Sequence, residues 1–84
     1  MMDKYTLLEN YLRALPTSEE EVTLTFEGIE QILHEPLPDS AREDYAWWSN
    51  QKPGIQIETN PWMDAGWMVE TVDLNEKWVR LLRQ

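Results

Sequence analysis

The chain has 84 residues, 16 acidic and 7 basic, for a formal net charge of −9, with no cysteine and five tryptophans. That length fits one domain over residues 1–84 with a small core, in which each buried aromatic ring withdraws roughly 150–250 Å² from water. The cysteine count excludes a disulfide scaffold, a thiolate zinc site and a thiol nucleophile, and no apolar run approaches the roughly 18 residues of a membrane span. The first residues lack the basic patch and apolar stretch of a leader peptide, so the expected compartment is the cytoplasm.

Asp3 can cap a first helix, in which Leu8, Tyr11, Leu12 and Leu15 form one apolar stripe at helical spacing until Pro16 and Thr17-Ser18 end it. Residues 21–26 alternate polar and apolar, with β-branched Val22, Thr23 and Thr25, and read as a half-buried strand. Thr25 can then cap a second helix over residues 26–34, carried by Phe26, Ile29, Ile32 and Leu33. Gly28 weakens that helix by about 1 kcal/mol relative to alanine unless close packing requires it. Pro36 and Pro38 impose an extended connector.

Ser40-Ala41-Arg42-Glu43 reads as a capping box opening a third helix from Ser40 to about Trp48, with Ala41, Tyr45 and Trp48 on its inner stripe. Lys52-Pro53-Gly54 signals a turn, followed by a brief extended piece at Ile55-Gln56-Ile57. Asn60-Pro61 starts a short helix that Gly66 stops. Residues 67–74 and 77–83 form a hairpin about an Asn75-Glu76 turn, with no clean alternation to say which face is buried. The expected fold is therefore α+β: helix, strand, helix, helix, short helix, hairpin. This is the element order of a winged helix-turn-helix with an insertion before its wing.

Divided along the chain, the charge is uneven. Residues 19–44 carry nine acids and a single base, Arg42, for a net −8, whereas the first 18 residues are neutral. Such a block either solvates a surface or faces a basic partner. The tail is weakly basic: Lys77, Arg80 and Arg83 follow the last acid.

Three stretches, Pro36-Leu37-Pro38-Asp39-Ser40-Ala41, Ala46-Trp47-Trp48-Ser49-Asn50 and Trp62-Met63-Asp64-Ala65-Gly66-Trp67 followed by Val69 and Val72-Asp73-Leu74, resemble a family of small bacterial and phage domains. Its pattern joins Leu-Pro-x-Ser-Ala, Trp-Trp-x-Asn and Ala-Gly-Trp before a final hairpin. The function of that family is not established, and the resemblance implies only proximity, in some members, to nuclease-like domains. The family pattern carries basic residues after Ser-Ala, where this chain has Glu43-Asp44, and a Ser-His pair after the Asn, where it has Lys52-Pro53. Both departures argue against nucleic-acid binding by analogy.

Neighbours on a helix point about 100° apart, so Trp48 is expected in the core and Trp47 on another surface, packed under residues 51–59 or exposed as an anchor. Trp62 and Trp67 read as core flanking a turn that needs Gly66. Alternatively, Trp47 and Trp62 line a pocket with Asn50 and Gln56 as polar contacts. His34 falls at the end of the second helix, where a cation is favoured. One histidine without cysteine gives no transition-metal site, and Asp39, Glu43 and Asp44 lack calcium-loop spacing. There is no phosphate loop, nucleophile elbow or carboxylate in an apolar setting, so no catalytic residue and no cofactor is expected.

The leading expectation is a non-catalytic interaction module that presents Glu27, Glu30, Asp39, Glu43, Asp44, Trp47 and Asn50 to a basic protein, for instance a nuclease or another nucleic-acid-binding enzyme. The alternative is a nucleic-acid-binding module using Trp47, Lys77, Arg80 and Arg83. Three basic residues are few beside the roughly 6–10 phosphate contacts of ordinary DNA binders.

Overall fold

The structure, a computed structural model, describes residues 5–50 and 60–84. The expected turn at Lys52-Pro53-Gly54, the extended piece at residues 55–57, the packing of Trp47 beneath residues 51–59 and the roles of Asp3 and Gln56 lie outside the described residues. In chain order come α1 (Tyr5–Arg13), β1 (Glu21–Thr25), α2 (Phe26–Leu33), α3 (Asp39–Glu43), a single 3₁₀ turn (Tyr45–Trp48), α4 (Pro61–Asp64), β2 (Trp67–Asp73) and β3 (Trp78–Arg83). This is the expected α+β order.

The strands form one antiparallel sheet in the order β1-β3-β2, with Thr23 opposite Arg80 and Thr71 opposite Arg80 on the other side. The last strand is thus the central one. A register shift between Val69 and Thr71 makes Glu70 an extra residue, and this bulge is why the alternation of the first hairpin arm, β2, is imperfect in sequence. The hairpin turn is set by Asp73, whose Oδ1 accepts from the N–H of Asn75 (3.0 Å) and Glu76 (2.9 Å). Lys77 takes φ 63° in that turn, so the last strand starts one residue later than expected.

Local rules explain most helix ends. The Thr25 hydroxyl accepts from the Gly28 N–H (2.9 Å), and a Cβ at position 28 would lie 3.0 Å from that oxygen, which is the close approach that favours glycine there. His34 closes α2 in the left-handed conformation, φ 62°. Asn60 caps α4 through Met63 N–H, with Pro61 at the first helical position, and Gly66 turns the chain into β2 at φ +87°.

The third helix is shorter than predicted. It starts at Asp39 after Pro38, no side chain caps it, and it ends at Glu43. The Ser40 capping box does not form. Asp44 adopts φ −131°, ψ 116°, and its carboxylate instead caps the following 3₁₀ turn at Ala46 N–H (2.9 Å). This break rotates Tyr45 off the inner stripe, leaving it 60% exposed. Tyr11 likewise leaves the α1 stripe for the surface, while Leu8 and Leu12 are buried.

The core lies between the inner face of the sheet (Leu24, Val79, Leu81, Trp67, Val69) and the helices (Leu8, Leu12, Phe26, Ile29, Leu33), with Leu37 plugging in from the proline connector. Trp48 is stacked between Phe26 (5.3 Å between centroids) and Trp62 (5.8 Å), and its indole N–H donates to the Ala41 carbonyl (2.8 Å). Full burial of that ring is therefore achieved without an orphaned donor. Trp62 and Trp67 are core residues, as expected.

Candidate functional site

Trp47 and Asn50 follow directly from the 3₁₀ turn. Trp47 is half-buried rather than set on a separate face. Its ring meets Trp48 edge-on at 4.7 Å and leans on Tyr5 (6.0 Å) and Trp62 (6.1 Å). The indole arm is long enough to bring both neighbours into one aromatic cluster despite the angle between their Cβ bonds. Trp47 and Trp62, the two rings of the alternative pocket reading, are in contact with each other, and the Gln56 that the reading adds lies outside the described residues.

Asn50 is used internally. Its Oδ1 accepts from the Val69 N–H (2.7 Å) and the Trp62 indole N–H (3.1 Å), and its Nδ2 donates to the Val69 carbonyl (2.7 Å). The amide pairs with β2 as a neighbouring strand would, satisfying one position on the outer edge of the sheet. Its polar groups are thereby committed to holding the 3₁₀ turn, α4 and β2 together.

Glu30 is also committed. Its Oε2 accepts from the Leu37 N–H (2.7 Å) and from the Arg42 guanidinium. The Leu37 N–H, and then Arg42, hold this carboxyl below its ordinary value. The pair ties α2 to the connector and to α3. It also consumes the only base of residues 19–44. The other eight acids of that stretch, Glu19, Glu20, Glu21, Glu27, Glu35, Asp39, Glu43 and Asp44, are all exposed. Near the start of α2 a polar cleft of about 490 Å³ opens against the hairpin turn, lined by Thr25, Glu27, Glu30, Arg42, Glu76 and Lys77.

The basic tail does not form one patch. Arg83 lies on the core side of β3, 4.5 Å over the Trp67 ring, and donates to the carbonyls of Glu19 (2.8 Å) and Pro16 (2.8 Å). Arg80 is on the outer side, 5.3 Å over Trp78 and 3.6 Å from the Glu70 carboxylate. Lys77 stands in the acid-lined cleft. The structure therefore separates the three cations and engages two of them.

Among the predicted partner-binding residues, Glu27, Asp39, Glu43 and Asp44 are exposed, Trp47 is half-buried, and Glu30 and Asn50 are tied into the fold. Tyr45 is the residue the sequence reading missed. It is the most exposed large apolar side chain among the described residues, and it lies beside Glu43 and Asp44. The signal for it was Asp44, a residue that caps turns more readily than it continues helices. Among the described residues no group of three potential metal ligands comes together, and no helix is long and apolar enough to cross a membrane.

No curated protein and no solved structure matches the chain. Over residues 5–84 the sequence matches a domain of unknown function, DUF7662, and the chain belongs to that family.

Proposed function

We propose that this domain is a non-catalytic interaction module of the cytoplasm that docks a basic protein through the anionic surface of residues 19–44. One observation carries the reading: Arg42, the only base in that stretch, is tied to Glu30, and the remaining eight acids are exposed. A predominantly anionic surface steers an oppositely charged partner and repels nucleic acid. Tyr45 adds an exposed aromatic contact next to Glu43 and Asp44. In concrete form the partner is a nuclease or another nucleic-acid-binding enzyme, whose basic groove the carboxylates enter in place of phosphates.

The test is binding of immobilised protein to a panel of basic nucleases and, separately, to duplex DNA, at about 50 and about 500 mM salt. The expected result is retention of a nuclease at low salt, at least tenfold weaker at high salt and in the Glu27→Gln, Asp39→Asn, Glu43→Gln variant. Retention that ignores salt and the variant, retention of no nuclease, or retention of the duplex itself overturns the proposal.

A further inference from the structure

The acidic stretch begins on a strand that has one strand neighbour among the described residues. β1 pairs only with β3, which leaves its other side without a strand among the described residues. The register fixes which groups face that side. Arg83 N–H donates to the Glu20 carbonyl and Phe26 N–H to the Lys77 carbonyl, so the even-numbered residues of this segment exchange hydrogen bonds with β3. The backbone N–H and C=O groups of Glu21 and Thr23, and the N–H of Thr25, therefore point to the open edge. All three residues are exposed.

An edge of this kind is a template for another strand. Its charge decides which strand. Glu19, Glu20 and Glu21 head it and Glu27 follows it, all on exposed residues. A second copy of this chain, pairing antiparallel about Thr23, would set Glu19 against Glu27 and bring together two chains of charge −9. Like charges directly opposite are destabilising, whereas a lysine or arginine opposite Glu21 is favoured.

We propose that the outer edge of β1 receives an extended, basic segment of the partner protein as a fourth strand. Backbone pairing at residues 21, 23 and 25 supplies the geometry, and cationic side chains meet Glu19–Glu21. This rests on the anionic-surface reading and states how that surface is engaged.

The experiment uses the full chain and a labelled octapeptide, Lys-Thr-Lys-Val-Lys-Thr-Lys-Val, beside the same peptide N-methylated at alternate residues. Methylation keeps the charge and removes the donors of one strand edge. In the free protein the amides of Glu21, Thr23 and Thr25 are expected to exchange rapidly with solvent, while those of Val22 and Leu24 are protected. The plain peptide should slow the first three at least tenfold, and the methylated peptide should bind at least tenfold more weakly. Equal binding of the two peptides overturns strand addition and leaves the charge-based reading standing. Binding of neither, protection of Thr23 in the dilute free protein, or protection that grows only with protein concentration overturns it as well; the last assigns the edge to a second copy. The nuclease experiment is indifferent to backbone pairing, so a failure of strand addition is distinguishable from a failure of the anionic-surface reading.

Discussion

Replacing Asn50 by alanine removes three hydrogen bonds at once, to the Val69 carbonyl, the Val69 N–H and the Trp62 indole N–H. Each is worth about 1 kcal/mol net, and the groups left behind are only part-buried, so water reaches some of them. The expected loss is about 3 kcal/mol. An 84-residue domain has a total stability of roughly 4–13 kcal/mol, so the loss is a large fraction of it. Urea unfolding followed by tryptophan fluorescence reads it directly. With a slope near 1 kcal/mol/M, roughly the small-protein value, the midpoint falls by about 3 M. Asn50→Asp keeps the acceptor but sets a carboxylate against the Val69 carbonyl, so it too is destabilising at neutral pH. A loss under about 0.5 kcal/mol in Asn50→Ala, the range of an ordinary surface change, would refute the account of Asn50 as a strand mimic.

Glu30 makes stability depend on pH. Its folded pKa lies below the unfolded one, so its contribution is present above the ordinary carboxylate range and is lost as the pH falls through the folded value. The urea midpoint is expected to drop as the pH falls below the ordinary carboxylate range, and Glu30→Gln should flatten that part of the profile; an unchanged slope in the variant refutes the assignment. For Arg83, alanine is expected to cost about 2 kcal/mol through loss of the Trp67 stack and of the bonds to the Glu19 and Pro16 carbonyls. Lysine should rescue only part of this, because it lacks the planar fork, and denaturation of the two variants checks it.

The features legible in sequence are those whose cause is local. Thr25 and Asn60 cap helices because the bond spans three residues, and Gly66 is required by its own dihedral angle. The element order and the burial of Trp48, Trp62 and Trp67 follow from spacing and composition. What was not legible depends on partners far along the chain. Nothing near Arg42 shows that it will neutralise Glu30 twelve residues earlier, and nothing near Arg83 points to a carbonyl 64 residues away. Asp44 falls inside the helix that spacing predicts from Ser40 to about Trp48, although a short side chain that bonds the backbone two residues on competes with the helix. The same change of conformation moved Tyr45 outward and drew Trp47 inward. The Glu70 bulge hid the inner face of the hairpin because an inserted residue inverts the alternation on which that inference rests.

The position of β3 has a kinetic consequence. β1 and β2 are not paired with each other, and among the described residues each finds its strand neighbour in Trp78–Arg83, the last of the three to be synthesised. From the time β1 emerges until β3 follows, its backbone is unpaired on both sides, and closing that long loop slows formation of the sheet. Nascent chains at this stage carry Glu19, Glu20 and Glu21 at the head of the bare segment. Their mutual repulsion keeps two such chains from pairing with each other before each has folded. The charge that marks one edge of the finished molecule thus also guards its assembly.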